Sequence, residues 1–151
     1  MRESLPSRED SPQGHVVRAP ILRLELVLRT CSINVHEHHY ARASRRKSQQ
    51  DAVLLALRPL GVPHPPLDVH LTRIASKRLD SDNLAGAFKS IRDAIAKWLR
   101  VDDARDDLVS YCYHQELRAG GHWQMTFTRG GAMRKLAEGL VRIEILRREE
   151  P

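Results

Sequence analysis

The segment 83–100, NLAGAFKSIRDAIAKWLR, carries the clearest helical periodicity of the 151-residue chain. Counted from its leucine at position 84, the apolar side chains fall at offsets 0, 3, 4, 7, 10, 11, 14 and 15. They are Leu84, Ala87, Phe88, Ile91, Ala94, Ile95, Trp98 and Leu99. This spacing predicts an amphipathic helix whose apolar face packs on a sheet. Ser81 or Asp82 is expected to supply the N-cap oxygen.

Alternating apolar and polar side chains on both sides of this helix predict strands with one buried face. The predicted strands are 21–29, 67–74, 109–117, 124–128 and 141–145. A second helix is predicted over 36–58, which contains neither proline nor glycine, and a further short helix over 130–139. This order predicts an α/β (α+β) fold, a single domain with a mixed sheet and two main helices. Residues 1–19 are expected to form a flexible arm, 20–147 the folded domain and 148–151 a short tail.

Composition and charge narrow the class of protein. With 41% hydrophobic and 29% charged residues, a wholly disordered chain is excluded. No apolar run approaches the roughly 18 residues that a membrane helix needs, and the start of the sequence lacks the apolar core of a secretory signal. Two cysteines make no disulfide framework, so a reducing, cytoplasmic compartment is expected. The net charge of +6 favours a polyanionic partner.

Four aspartates flank the 83–100 helix in pairs. Asp80 and Asp82 precede it, and Asp102 and Asp103 follow it. Two carboxylates at a strand-to-helix corner can face one pocket and suit Mg²⁺, which takes oxygen ligands and keeps several waters. A metal held there can stabilise an in-line phosphoryl displacement. The alternative is structural, because an Asp before a helix is commonly a cap and an acidic pair after it can be a solvated loop.

The stretch 78–108, RLDSDNLAGAFKSIRDAIAKWLRVDDARDDL, resembles the signature of the RusA family of Holliday-junction resolvases. That family carries an Asp-x-Asp-Asn opening, a helix with an internal Asp-Ala, and a closing Asp-Asp. The matching positions are Asp80, Asp82, Asn83, Asp93, Ala94, Asp102 and Asp103. The upstream segment 32–50, SINVHEHHYARASRRKSQQ, is similar to the family's first helix, where an Asn precedes a basic run. The resemblance covers roughly residues 20–117 and a final strand at 141–146.

The resemblance implies a homodimeric, Mg²⁺-dependent endonuclease that cuts four-way DNA junctions by paired nicks. The implied catalytic and metal-binding carboxylates are Asp80, Asp82 and one of Asp102 and Asp103, of which Asp103 is favoured. A C₂ dimer suits this task, because its axis can coincide with that of the junction. Apolar surface from the strands or from the helix that carries Trp98 is expected at the dimer interface.

The chain departs from the family pattern at one position. Better-known relatives place a catalytic Lys four residues after the second Asp, and that position is Gly86 here. Lys89 is a neighbour of position 86 on the helix surface, so it is a candidate replacement for the missing ammonium group. Alternatively, Lys89 only pairs with Asp93 at i,i+4. The change Gly86→Lys is expected to be tolerated, because Gly is a poor helix former.

The length of the helix poses a geometric problem for such a site. A straight helix of about 17 residues is roughly 25 Å long, so Asp80 and Asp103 cannot share a metal within one straight-helix monomer. Either the helix ends early and the chain folds back, or the partner subunit supplies one carboxylate. The sequence leaves both possibilities open.

Basic residues lie in two groups that are candidates for DNA contact. The candidate DNA-binding residues are Asn34, Arg42, Arg45, Arg46, Lys47, Arg73, Lys77 and Arg78. Each phosphate that they neutralise would add to the salt dependence of binding. Alternatively, the first group only forms a solvated helix face, and the second group forms a loop whose positive charge offsets the negative charge of the carboxylates. Two further functions stay open: a protein of the same fold that binds branched DNA but cuts poorly, and a basic structural protein whose aspartates only cap helices.

Overall fold

The fold has two helices packed on a mixed sheet. The computed structural model describes residues 18–102, 104–119, 122–127 and 133–149, with the backbone alone for 122–127 and 133–138. The elements are β1 (Leu22–Leu28), α1 (His39–Leu57), β2 (Leu67–Ala75), α2 (Ser81–Leu99), β3 (Val109–Leu117), β4 (His122–Phe127) and β5 (Met133–Arg147). The predicted α+β class with a mixed sheet and two main helices in one domain is therefore confirmed.

The sheet has the strand order β1-β5-β2-β3. β5 is antiparallel to both of its neighbours, with Ile143 opposite Leu24 on one side and Leu71 on the other. β2 and β3 are parallel and are joined through α2, with Leu71 beside Tyr113. β4 pairs with the first part of β5, from Met133 to Glu138. The last strand of the sequence thus lies in the middle of the sheet.

Apolar side chains on one face of the sheet build the core beneath α1 and α2. Leu67, Val69 and Leu71 of β2 are fully buried, as their alternation in the sequence predicts. From α2, Phe88 enters this layer and stacks on Tyr113, with ring centroids 5.7 Å apart. In the described part of the chain, the other face of the sheet carries polar cross-strand pairs and no helix. Its cross-strand ion pairs include Arg23–Glu144, Arg142–Glu25 and Arg142–Glu116.

α2 begins two residues before the segment 83–100, and its cap differs from the predicted one. The N-cap is Asp80, not Ser81 or Asp82, and its carboxylate accepts a hydrogen bond from the backbone N–H of Asn83. The helix continues without a break to Leu99 and ends at Arg100, whose φ of 58° places it in the left-handed region. The possibility that α2 ends early and folds back is therefore excluded.

Other boundaries also differ from the predicted ones, most of all that of β5, which begins at Met133 instead of residue 141. α1 begins at His39 instead of residue 36; its N-cap His38 makes no side-chain cap hydrogen bond, and its first turn has no acidic residue. The short helix predicted over 130–139 is wrong for 133–139, which belong to β5. The sequence there contains good helix formers, but pairing with β4 and β1 overrides that local preference.

Some predictions concern residues outside the described part of the chain. They are most of the flexible arm, at 1–17, Asp103, residue 128 of a predicted strand, residues 130–132 of the predicted short helix, and residues 150–151 of the tail. At the other terminus, Arg148 donates to the Asp68 carboxylate at 2.8 Å, which extends the packed chain one residue beyond the predicted boundary.

Neither α1 nor α2, the helices of the described part, offers the long apolar stretch that crossing a bilayer demands. Cys31 and Cys112 are both free thiols.

The two ends of the sheet carry different chemistry. β1, β2 and β3 all finish, at Leu28, Ala75 and Leu117, at the end where α2 begins. We call this the Asp80 end. β2 and β3 begin at the opposite end, where α2 finishes and the loop 100–108 leads into β3. We call this the Asp102 end.

Candidate functional site

The carboxylate of Asp80 is held in a fixed orientation by Asn83. One oxygen, Oδ1, accepts from the backbone N–H of Asn83 at 2.9 Å, and Oδ2 accepts from its side-chain Nδ2 at 2.7 Å. These hydrogen bonds, first the backbone one and then the side-chain one, lower the pKa of Asp80 below its ordinary value. Asp80 is therefore ionised at neutral pH, and each oxygen keeps a second lone pair.

Asn83 also joins the two segments that carry the family resemblance. Its side-chain oxygen accepts a hydrogen bond from the hydroxyl of Ser32, in the loop between β1 and α1. The same hydroxyl oxygen accepts from the backbone N–H of Asn34 at 3.1 Å. Three consecutive hydrogen bonds thus connect the backbone N–H of Asn34, through Ser32 and Asn83, to the Asp80 carboxylate.

Two further side chains brace the backbone that leads into Asp80. Gln115 of β3 accepts from the N–H of Leu79 at 2.8 Å and donates to the carbonyl of Leu79 at 2.7 Å. Arg73 is 8% exposed, and its guanidinium donates to the Thr30 hydroxyl at 3.0 Å and to the carbonyl of Lys77. Burial lowers the pKa of Arg73. This buried position makes Arg73 a brace of the β2–α2 loop, away from the exposed basic residues.

Asp80 borders an open cleft of about 480 Å³ at the edge of the sheet. The cleft is lined by Arg78, Leu79, Asp80, Ser81, Leu84, Tyr113, His114 and Gln115. Asp82, in the first turn of α2, is exposed to solvent two residues along the chain from Asp80, and it is not among the residues that line the cleft. A phosphate that entered the cleft would meet the guanidinium of Arg78 together with the Asp80 carboxylate.

The second pair of candidate carboxylates lies at the opposite end of α2. Asp102 is exposed, and its Oδ1 accepts from the N–H of Ala104 at 3.0 Å. The 19-residue helix spans about 27 Å at 1.5 Å per residue. Within one chain, Asp80 and Asp102 are therefore too far apart to share a metal ion.

Gly86 is in contact with the loop that carries Asn34. A Cβ added at Gly86 would stand 2.3 Å from Cγ2 of Ile33. The expectation that Gly86→Lys is tolerated rests on helix propensity alone, whereas the structure shows that Ile33 must move before position 86 can carry a side chain. Helix propensity alone does not reveal this contact, because Ile33 is 53 positions away in the sequence.

Lys89 lies on the exposed side of α2, between its two ends. It lines one small cavity with Gly86 and Asp93 and a second with Asp93 and Asp102. The ion pairs found in the described residues do not include Lys89 with Asp93. The structure thus gives no support to the alternative in which Lys89 only forms an ion pair with Asp93.

The basic residues of α1 differ in their contacts. Arg45 makes a two-point ion pair with Glu37, at 3.1 and 2.9 Å, and this pairing lowers the pKa of Glu37. Arg42 donates to the carbonyl of Val35 at 3.3 Å. Arg46 and Lys47 are exposed and form no ion pair within the described residues. They are the α1 side chains best placed to meet a phosphate backbone.

The donor set at the Asp80 end suits Mg²⁺. Among the residues that the structure describes, no three His, Cys, Asp or Glu side chains converge on one point. Mg²⁺ is commonly held by only one or two carboxylates, with waters and substrate phosphates as its other ligands. At the Asp80 end, the carboxylates that could hold such an ion are that of Asp80, which is fixed by Asn83, and that of the exposed Asp82.

Sequence reasoning finds Asp80 and Asp82 but misses the side chains that orient Asp80. Ser32 and Gln115 lie 51 and 36 positions from their partners, and no local pattern marks them. Comparison with models of known protein families gives no match for this chain, and no curated protein matches it either. The resemblance to the RusA family therefore depends on the residues named above.

Proposed function

We propose that this protein is a Mg²⁺-dependent endonuclease that cuts branched DNA, four-way junctions above all, as a homodimer with RusA-like chemistry. The observation that carries this proposal is the hydrogen-bonded connection from Asn34 through Ser32 and Asn83 to Asp80. It brings the two separate segments of the resemblance to one end of the fold. A helix cap alone needs only Asp80 and the N–H of Asn83.

The roles of the residues follow from their positions. Asp80 and Asp82 would hold Mg²⁺, which supplies electrostatic stabilisation to a phosphate under attack. Asn83 keeps Asp80 ionised and oriented through two hydrogen bonds. Arg78 in the cleft and the exposed Lys77 would draw the DNA backbone towards the carboxylates, with Arg46 and Lys47 adding phosphate contacts on α1.

The test is the change Asp82→Asn, assayed on a synthetic four-way junction. Losing a metal ligand removes several kcal/mol of transition-state stabilisation, so nicking in Mg²⁺ should fall at least about hundredfold. Junction binding should be kept or should tighten, because a negative charge beside the phosphates is gone. Asp80 supplies the cap, so the free energy of unfolding should fall by less than about 1 kcal/mol.

Asp51→Asn is the matched control, since Asp51 is an exposed aspartate in the second half of α1. It should nick at the wild-type rate. Wild-type nicking by Asp82→Asn would contradict the catalytic role of the Asp80 end.

A second candidate function is binding of branched DNA without efficient cleavage. The contact between Gly86 and Ile33 favours it, because it leaves no space at the position where relatives carry a lysine. Junction-selective binding by a wild-type protein that does not nick in Mg²⁺ would support this alternative.

A further inference from the structure

An open groove lies between the C-terminal ends of α1 and α2, at the Asp102 end of the fold. Its volume is about 600 Å³. Four apolar side chains line it: Leu55, Leu60 and Val62, which are 71%, 39% and 47% exposed, and Trp98, which is partly buried. We call the space lined by these four side chains the Trp98 groove. Exposed apolar side chains that are grouped in a concave surface are typical of a site that binds another molecule.

Three cationic side chains line the same groove. They are Arg58, directly after α1, and Lys97 and Arg100, at the end of α2. All three are exposed, and the ion pairs formed by the described residues include none of them. The dipole of a helix favours a cation at its C-terminus, but it does not account for exposed apolar side chains at the same place.

We propose that the Trp98 groove binds an acidic segment of another protein, in which carboxylates are interspersed with apolar side chains. The apolar side chains would enter the groove, and the carboxylates would pair with the cations that line it. Tryptophan and arginine are enriched among the side chains that contribute most to protein interfaces, and here Trp98, Arg58 and Arg100 line one groove. This proposal does not depend on the proposed nuclease function.

The charge of the groove argues against a second copy of this chain as its occupant. A two-fold axis through the groove would place Arg58, Lys97 and Arg100 opposite the same cations of the second copy. Like charges that meet across an interface are unfavourable. An acidic partner would neutralise them instead, and the net charge of +6 would attract such a partner from a distance.

The apolar lining of the groove argues against DNA as its occupant. A DNA backbone offers phosphates to the cations, but it gives the exposed Leu55 and Val62 little apolar surface to contact. The candidate DNA contacts Lys77 and Arg78 precede α2, whereas Lys97 lies in its last turn, and the helix is about 27 Å long. A peptide in the groove would therefore leave the cleft beside Asp80 free.

A synthetic peptide tests the chemistry of the partner. The probe is a fluorescein-labelled peptide in which aspartates alternate with leucines and phenylalanines, and fluorescence anisotropy measures its binding to the purified full chain. We expect saturable binding. A peptide with asparagine in place of aspartate, and another with serine in place of the apolar residues, should each bind at least about tenfold more weakly, because each lacks one of the two complementary features.

Variants of the chain test the place of binding. Leu55→Asp should weaken binding of the aspartate peptide at least about tenfold, and Arg58→Glu at least about fivefold, because each puts a negative charge into the groove. Val27→Asp, on the other face of the sheet, and Arg29→Glu, directly after β1, are the matched controls at exposed positions, and both should bind like the wild type. Asp51→Asn, which removes a carboxylate from the groove, should bind at least as tightly as the wild type.

A selection from a library of random peptides removes the dependence on one designed sequence. Peptides selected by the wild type should be rich in acidic and apolar residues, and those selected by Leu55→Asp should not. Circular dichroism checks that each variant keeps its fold.

Several results would overturn the proposal. Neither the designed peptide nor the library gives binding that Leu55→Asp weakens, or the serine peptide binds as tightly as the aspartate–leucine–phenylalanine peptide. Loss of duplex DNA binding in Leu55→Asp, without loss of peptide binding, would assign the groove to DNA. Conversion of a dimer to a monomer by Leu55→Asp in light scattering would assign it to a second copy of the chain.

Discussion

Gly86 is the residue at which the two halves of the candidate site come into contact. A methyl group there would favour the helix by about 1 kcal/mol, but it would collide with Ile33, and overpacking costs typically 1–3 kcal/mol. Gly86→Ala should therefore lower the free energy of unfolding by up to about 2 kcal/mol in urea titrations.

The same substitution should change sign when Ile33 is removed. In an Ile33→Ala background, Gly86→Ala should raise the free energy of unfolding by about 1 kcal/mol, because only the helix propensity remains. Ile33→Ala alone is the control, with a small effect expected since Ile33 is 47% exposed. Destabilisation by Gly86→Ala in both backgrounds would show that the contact with Ile33 is not the cause.

Lys89 offers a second prediction at the residue scale, one that rests on the proposed nuclease function. Lys89 presents its ammonium group on the exposed side of α2, where it should assist cleavage. Lys89→Ala should therefore lower the rate of nicking at least about tenfold. Tenfold corresponds to a loss of about 1.4 kcal/mol in transition-state stabilisation. Junction affinity and the free energy of unfolding should stay within about 0.5 kcal/mol, as for ordinary surface substitutions. Lys97→Ala, at another exposed lysine of α2, should leave nicking unchanged. Equal effects of the two substitutions would remove the special role of Lys89.

The residues of the Asp80 end were predictable only in part. Asp80 and Asp82 stand out because two carboxylates precede an amphipathic helix. The sequence suggested Ser81 or Asp82 as the cap, since a cap oxygen needs only its own side chain and a nearby N–H. Asp80 takes this role through a local hydrogen bond from the N–H of Asn83, whereas the bond from Ser32 to Asn83 spans 51 positions and leaves no local signal in the sequence.

At the scale of elements, the first half of α1 carries arginines of two kinds. One kind is held in an ion pair with a carboxylate, and the other is exposed and available to contact DNA. Arg46 is exposed and outside the ion pairs of the described residues. Arg46→Ala should weaken junction binding and reduce the slope of log K against log salt by about one. Fluorescence anisotropy over a salt series measures both quantities.

Arg45→Ala on the same helix should behave differently. Its guanidinium is bound to Glu37 at two points, so the main expected cost is stability, about 1 kcal/mol or less. A larger loss of DNA affinity in Arg45→Ala than in Arg46→Ala would contradict this assignment.

The polar face of the sheet predicts a dependence of stability on pH. His70 Nδ1 and His114 Nε2 share a hydrogen bond of 2.9 Å on adjacent strands. Burial and the neighbouring His70 lower the pKa of His114 below its ordinary 6.5, and Glu144 opposes them. Below pH 6.5 the unfolded chain therefore binds a proton that the folded chain does not, and the free energy of unfolding falls as the pH drops.

Urea unfolding between about pH 7.5 and about pH 5.5, where histidines titrate and most carboxyls do not, measures this effect. His114→Gln should reduce the slope of the free energy of unfolding against pH. An unchanged slope would mean that His114 does not couple protonation to folding.

Among the elements, periodic segments were predicted well and the segment 133–139 was not. The apolar stripe of α2 sets its length almost to the residue, since every third or fourth side chain enters the core. Residues 133–139 have helix formers but belong to β5, because strand pairing with β4 depends on partners that local propensity does not include.

At the scale of the whole molecule, the proposed function predicts a homodimer, and β3, the last strand in the sheet order, is a candidate interface. Light scattering at micromolar concentration should give about twice the chain mass of 17.3 kDa. Leu117→Pro, at an exposed position of β3, should shift the protein towards the monomer, since proline removes a backbone N–H donor from the edge of the sheet. The circular dichroism of the variant checks that the fold persists. A monomeric wild type would contradict an obligate dimer.

The position of β5 has a consequence for synthesis on the ribosome. β5 lies between β1 and β2, so β1 cannot join the sheet until its partners in β5, residues 139–145, have been made. The nascent chain can form α1, α2 and the parallel pair β2–β3 beforehand, but it must keep a gap between β1 and β2. Completion of this sheet is consequently a late event, and chaperones that bind exposed strand edges would meet this protein before its last strand is in place.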